Sequence, residues 1–192
     1  MPTELGEPFF AALEYAARLH ARQRRKASDV PYVAHLLAVA AIVLEHGGSQ
    51  VEAIAALLHD AVEDQGGAAQ LAEIERRFGP EVARIVAACT DTDQTPKPPW
   101  RARKEEHLAH ASQADAAVRL VLAADKLHNG RAILADLRRH GDAVWSRFNG
   151  GREGTLWYYR AMYSALAASG TEHQPLLDEL GRVVAELGDA AH

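Results

Sequence analysis

The chain has 192 residues, 48% of them hydrophobic and 24% charged, with a formal net charge of -5. That length and composition describe one globular domain with a sizeable core, and the charge excludes a general attraction to nucleic acid or an anionic membrane. No stretch approaches the roughly 20 apolar residues of a membrane span. The N-terminus lacks the basic start and apolar run of a secretory signal. The single cysteine, Cys89, rules out an internal disulfide, so the chain reads as cytoplasmic.

Alanine and leucine dominate and β-branched residues are sparse, a balance that favours helices. From Pro8 to Gln23 the residues Phe9, Phe10, Leu13, Ala16, Ala17 and Leu19 keep a helical period. Arg22 to Pro31 is a basic, polar connector. A second helix is predicted over Tyr32–His46, stopped by Gly47-Gly48. A third spans Gln50–Asp64, apolar until its last turn and therefore central. Helices follow over Ala69–Phe78 and from Pro80 to Cys89, where Cys89 reads as a small apolar filler. Asp91–Pro99 is the longest irregular stretch. Arg101–Ala111 reads as an exposed, charged helix, and Ala114–Arg139 as a long one. A glycine-rich loop, Phe148–Gly154, precedes helices over Thr155–Ala168 and Pro175–Leu187. With no strand alternation, repeat or domain boundary, the expected architecture is all-α: one compact bundle of about eight to ten helices over residues 1–192. Residues 9–140 would carry the chemistry, with C-terminal helices over 141–192.

Three polar patches interrupt these apolar runs: Pro31-Tyr32-Val33-Ala34-His35, His59-Asp60-Ala61-Val62-Glu63-Asp64 and Asp125-Lys126-Leu127-His128-Asn129. Singly, each has a plain structural reading, a satisfied core histidine at His35 or the wet end of a buried helix at His59-Asp60. Asp125, however, follows Val121-Leu122-Ala123-Ala124, where an uncompensated carboxylate is costly to bury. Together, His35, His59, Asp60 and Asp125 suit a hard or borderline divalent cation with positions left for water and phosphate. On a continuous helix His59 and Asp60 lie about 100° apart and reach one ion, with Glu63 and Asp64 a turn later. That second pair is placed to hold and deprotonate a water.

Asn129 is positioned to bond a base or sugar, and Lys126 or Arg131 to meet phosphate. His128 reads as a supporting partner, a substrate contact or a further ligand. Arg22, Arg24, Arg25 and Lys26 form either a solvated face or a loop over the pocket, where arginine can stack on a purine and fork onto phosphate. Arg101, Arg103 and Lys104 form a second basic group that reads first as a solvated helix face, with a phosphate-facing role left open. The reaction class indicated is metal-assisted hydrolysis of a phosphate ester or pyrophosphate.

In this combination the motifs resemble the HD-domain metal-dependent phosphohydrolases, and more narrowly the stand-alone alarmone hydrolases of the RelA/SpoT type. The resemblance covers residues 9 to 140. It is carried by Arg25-Lys26 ahead of Pro31-Tyr32-Val33-Ala34-His35, by Glu63-Asp64 completing His59-Asp60-Ala61-Val62, and by Ala124-Asp125-Lys126-Leu127-His128-Asn129. It implies one manganese ion on His35, His59, Asp60 and Asp125, with Glu63 and Asp64 activating the attacking water. Arg25 and Lys26 would pack against the purine and Asn129 would contact the nucleoside. The implied reaction is hydrolysis of the 3′-pyrophosphate of ppGpp or pppGpp to pyrophosphate and GDP or GTP. Two other readings stay open: a phosphatase for NADPH or another phosphorylated nucleotide, and a module that binds a nucleotide without cleaving it. The run Gly150 to Arg160 matches no motif of that family. An aromatic among Trp157–Tyr159 either closes the nucleotide pocket or packs in the core.

Overall fold

The computed structural model describes residues 3–26, 28–92, 96–168, 170 and 172–190. In chain order the helices are α1 (Glu7–Leu19), α2 (Val33–Glu45), α3 (Gln50–Leu58), α4 (Ala61–Gln65), α5 (Gly67–Phe78), α6 (Pro80–Cys89), α7 (Trp100–Ala111) and α8 (Ala116–His140). A 3-10 helix over Gly141–Arg147 leads to α9 (Gly151–Ala168) and α10 (Gln174–Asp189). Among the described residues there is no strand, only one isolated antiparallel bridge between Arg24 and Pro31. None of the described helices is long and apolar enough to cross a membrane.

The centre is α3. The Ser49 side chain accepts from the Glu52 N–H while the Glu52 carboxylate takes the Ser49 N–H, a capping box that fixes where the helix begins. Ala53 through Leu58 are then all buried, because a helix apolar on every side is stable only when enclosed. It packs against α1, α2, α6 and α8. α8 supplies the other half of the core, from Val118 to Ala124 and again at Leu127, Ile133 and Leu134.

The expected helix over Gln50–Asp64 is interrupted. α3 stops at Leu58, His59 and Asp60 form a turn, and α4 resumes at Ala61. Both turn residues keep right-handed backbone angles, and Asp64 N–H still reaches the Asp60 carbonyl at 3.1 Å. A run of apolar residues gives no sign of such a break, since the periodicity continues through it.

Two further expectations are corrected. α7 is not simply exposed: Arg103, His107 and Ala111, spaced four apart, form a buried face. Nor is Phe148–Gly154 all loop, because α9 begins at Gly151. Its glycines make room for Trp100. A Cβ on Gly150 would lie 2.6 Å from the indole, and one on Gly154 3.1 Å from it. Residues 93–95 of the Asp91–Pro99 stretch lie outside the described residues.

α10 closes the bundle against α8 and α9. Arg131 and Arg138 of α8, two turns apart, pair with Glu179 and Glu186 of α10. Next to Arg131, Gly130 lets α10 come close: a Cβ there would meet Val183 Cγ1 at 2.6 Å and Tyr159 Cε1 at 3.3 Å. Replacing helical glycine by alanine gains up to about 1 kcal/mol of propensity, but overpacking a tight interface costs roughly 1–3 kcal/mol. Gly130→Ala is therefore expected to lower the melting temperature, and Val183→Ala in the same chain to recover part of the loss. A simple sum of the two single effects in a double-mutant cycle would contradict this contact.

Candidate metal centre and nucleotide cleft

Three elements deliver the polar patches to one point. Pro31 and Tyr32 turn the chain into α2, which carries His35 in its first turn. The turn between α3 and α4 brings His59 and Asp60, and α8 brings Asp125. His59 Nε2 lies 3.1 Å from Asp60 Oδ2 and 3.6 Å from Asp125 Oδ1; His35 Nε2 lies 3.5 Å and 3.2 Å from the same two atoms. His35, His59 and Asp125 are buried, and their donor atoms lie within 4.8 Å of one another.

The hydrogen bonds around the cluster determine which nitrogens face it. His59 Nδ1 lies 2.7 Å from the Ala56 carbonyl, which can only accept, so Nδ1 carries a proton and Nε2 is the nitrogen turned toward the cluster. His35 Nδ1 lies 2.8 Å from His128 Nδ1. Burial, then the neighbouring His35 and Arg25, push His128 down to about 4. It therefore stays neutral; with His35 Nε2 turned inward as a ligand atom, the His35 proton sits on Nδ1 and His128 accepts it. His128 thus acts behind a cluster residue, one of the three roles open to it. Tyr32 Oη donates to Asp60 Oδ2 at 2.6 Å. Both inward Nε2 atoms are buried without a hydrogen-bond partner. Two orphaned imidazole nitrogens opposite two carboxylate oxygens fit a divalent cation.

One turn on, Glu63 and Asp64 flank this point. Glu63 Oε1 is paired with Lys97 Nζ at 2.8 Å. Asp64 Oδ2 accepts from Gln23 Nε2 at 2.7 Å. The Gln23 amide has no freedom to flip, because its Oε1 takes the Gln65 side-chain N–H and faces His20 Nδ1, each at 2.7 Å. Burial and then the Asp60 charge raise the Asp64 pKa, while the Gln23 bond opposes them.

Beside the cluster a small cavity of about 50 Å³ is lined by Glu63, Cys89, Asp91, Lys104 and Lys126 among others. Cys89 is indeed buried, and burial raises its thiol pKa. The wider opening is a cleft of about 600 Å³. Arg25, Lys26, Lys126 and Asn129 all line it, as do Trp100, Phe148, Tyr158 and Tyr159. The bridge at Arg24–Pro31 folds the basic connector back, and Arg25 Nη2 donates to Asn129 Oδ1 at 2.8 Å. Lys126 Nζ lies 2.6 Å from Asp125 Oδ2 and 5.6 Å from the Tyr158 ring centroid.

Arg131 does not line the cleft; it is half exposed and paired with Glu179. Of the Trp157–Tyr159 aromatics, Tyr158 and Tyr159 are buried and face the cleft. Trp157 instead lies under the Arg101 guanidinium, 3.3 Å from the ring centroid.

Sequence reasoning missed Gln23 and Lys97, and for Arg103 and Lys104 it favoured a solvated face over the phosphate-facing role. Arg103 and Lys104 are not on a solvated face: both pair with Asp91 and line the cleft. Asp91 also faces His107 Nδ1, which bonds Tyr158 Oη at 3.0 Å. Burial works against the Asp91 carboxylate, but His107 and Lys104 hold it well below the usual range. The only signal was the four-residue spacing of Arg103 and His107, and helix faces are ordinarily recognised by apolar residues.

Residues 12–156 match the model of the HD domain. The chain belongs to the HD-domain family. It is 41% identical to the guanosine-3′,5′-bis(diphosphate) 3′-pyrophosphohydrolase MESH1 of Xenopus tropicalis over 138 residues, 70% of this chain and 72% of that protein. The human protein of the same name is 39% identical over the same shares. A solved structure described as a metazoan ortholog of SpoT that hydrolyses ppGpp superposes with a TM-score of 0.76 and 27% identity, covering 94% of this chain and 97% of that one.

An HD domain without its cation holds the cluster together with protons. Burial disfavours the His59 imidazolium, but Asp60 and Asp125 outweigh it and raise its pKa well above the ordinary value. Burial also pushes both carboxylates up, yet His59 beside Asp60, and Lys126 beside Asp125, hold them well below theirs. A raised histidine contributes stability that is complete below about pH 6.5 and is lost as pH rises through its folded value. The depressed carboxylates contribute stability present above about pH 4 and lost in more acid solution. A cation must displace the His59 proton, so it binds more tightly as pH rises. The melting temperature of the metal-loaded HD domain should therefore increasingly exceed that of the chelated one between about pH 6 and about pH 9. A difference that stays constant or narrows across that range would count against this cluster as the metal site.

Proposed function

We propose that this HD domain hydrolyses the 3′-pyrophosphate of ppGpp or pppGpp, releasing pyrophosphate and GDP or GTP, with one manganese ion. The observation that carries the reading is the pair of buried, unpartnered imidazole nitrogens facing two carboxylates at the base of a cleft large enough for a nucleotide. The MESH1 relatives and the ppGpp-hydrolysing structural neighbour support the substrate. His35, His59, Asp60 and Asp125 would hold the ion. When bound, it supplies Lewis acidity that lowers the pKa of water and offsets charge on the phosphoryl oxygens.

The remaining roles belong to the chain's own side chains. Asp64, its pKa raised by burial and by Asp60, accepts the proton of the attacking water. Gln23 holds Asp64 Oδ2 and leaves Oδ1 for that proton. Glu63 shares the water and is held by Lys97. The water oxygen bonds to the phosphorus attached to the ribose 3′-oxygen, that P–O bond breaks, and the 3′-oxygen takes up a proton from solvent to leave as the ribose hydroxyl. Lys126 and Lys104, at the inner wall, meet the charge of the pyrophosphate. Arg25 and Lys26 pack on the purine, and Asn129, already bonded to Arg25, contacts the nucleoside. Arg131, paired with Glu179, takes no phosphate contact in this arrangement. A lone buried cysteine accords with a reducing, cytoplasmic setting.

Pyrophosphate release from ppGpp, measured after chelation and manganese restoration, tests the assignment. Release should depend on manganese and vanish in His59→Ala and Glu63→Ala. Gln23→Ala should lower kcat by ~10–100-fold with little change in KM, because it orients a group used in the transition state. Folded, metal-loaded protein that releases nothing from ppGpp but turns over NADPH or another phosphorylated nucleotide would replace the substrate. Tight binding without turnover of any of them would make the chain a nucleotide-binding module.

A further inference from the structure

Beyond the metal, α8 carries a second carboxylate that the reaction does not use. Asp136 follows Asp125 by eleven residues, about three helical turns, so the two share a face roughly 16 Å apart along the axis. Asn129 lies between them on the cleft side, and Asp136 lines the same cleft. Its Oδ2 accepts from Arg147 Nη1 at 2.9 Å, and no bond to Oδ1 is present among the described residues. Arg147, from the 3-10 helix, lines the cleft too and is next in sequence to Phe148. The Phe148 ring centroid lies 6.0 Å from Lys26 Nζ. The Asp136–Arg147 pair therefore lines the cleft in company with a cation and an aromatic ring, about three helical turns along α8 from the metal cluster.

We propose that Asp136 and Arg147 read the edge of that base and make the site selective for guanine. The inference rests on the nucleotide reading of the cleft. Guanine presents, side by side, an O6 acceptor, an N1–H donor and an N2 amino donor. Arg147 offers N–H groups to O6, while the two Asp136 oxygens accept from N1–H and the amino group, a bidentate, charge-assisted contact. Adenine reverses the pattern, placing the N1 lone pair against the carboxylate and an amino group against the guanidinium. A site built to hydrogen-bond one edge discriminates strongly, because the wrong base leaves its polar groups unpaired. Hypoxanthine retains O6 and N1–H but has no amino group, so it should fall between the two.

The test compares kcat/KM for ppGpp and its adenine and hypoxanthine analogues in the wild-type chain and in Asp136→Asn, each manganese-loaded. Calorimetric binding of GDP and ADP to both proteins is the second measurement. Wild type should favour guanine over adenine by at least about tenfold. Asp136→Asn should reduce that ratio by about tenfold or more, chiefly through KM, with a smaller effect on the hypoxanthine analogue. Absence of a base preference in the wild type overturns the proposal. So does a loss in Asp136→Asn that is equal for all bases, as a purely structural ion pair would give. If the wild type cleaves none of these compounds, the proposed reaction fails, and binding then decides the base reading alone. A GDP preference lost in Asp136→Asn upholds it, and equal binding of GDP and ADP ends it.

Discussion

Two imidazole nitrogens and two carboxylate oxygens are enclosed where the apolar faces of α2, α3 and α8 meet, and the rest of the architecture is arranged around that cost. Charged and polar atoms in such a place are tolerable only when each has a partner. The outer ring nitrogens have theirs, in the Ala56 carbonyl and His128. The inner ones have only one another and the facing carboxylates. Protons or a cation must complete the set, so the metal chemistry of this family and the stability of its core are the same problem.

A second layer of buried charge lies next to the first. Asp91 gathers Arg103, Lys104 and His107 from α7, and Lys104 and Lys126 both lie near the Tyr158 ring, at 4.8 Å and 5.6 Å. Burial and then the nearby Lys126 charge depress the Lys104 pKa, while Asp91 opposes them. Lys126 serves both layers, since its ammonium contacts Asp125 directly. The pyrophosphate of the proposed substrate is an anion that these two ammonium groups can meet.

Much of this is legible in the amino-acid sequence. His35, His59, Asp60 and Asp125 stood out because each interrupts an apolar run, and a polar residue there needs a reason. Glu63 and Asp64 followed from helical spacing, which survives the break at His59-Asp60 because the turn keeps right-handed backbone angles. Gln23, Lys97 and Asp136 gave no such signal. They are polar residues among other polar residues, and their roles come from which segments happen to fold beside them. Arg131 lies apart for the complementary reason: its neighbours in sequence face the cleft, but its own side chain projects toward α10 and Glu179.

The sequence by itself determined the helices, the apolar faces that bury α3 and α8, and the residue types able to hold a divalent cation. These depend on local propensity and on periodicity, which are properties of adjacent residues. Only the tertiary structure decided which histidine nitrogens turn inward, which cations reach the cleft, and why Gly130, Gly150 and Gly154 lack side chains. Those outcomes depend on contacts between residues far apart in the chain. Val183 against Gly130, Trp100 against Gly150 and Asn129 against Arg25 are examples. No periodicity records them, because close packing is a relation between surfaces that meet only once the chain has folded.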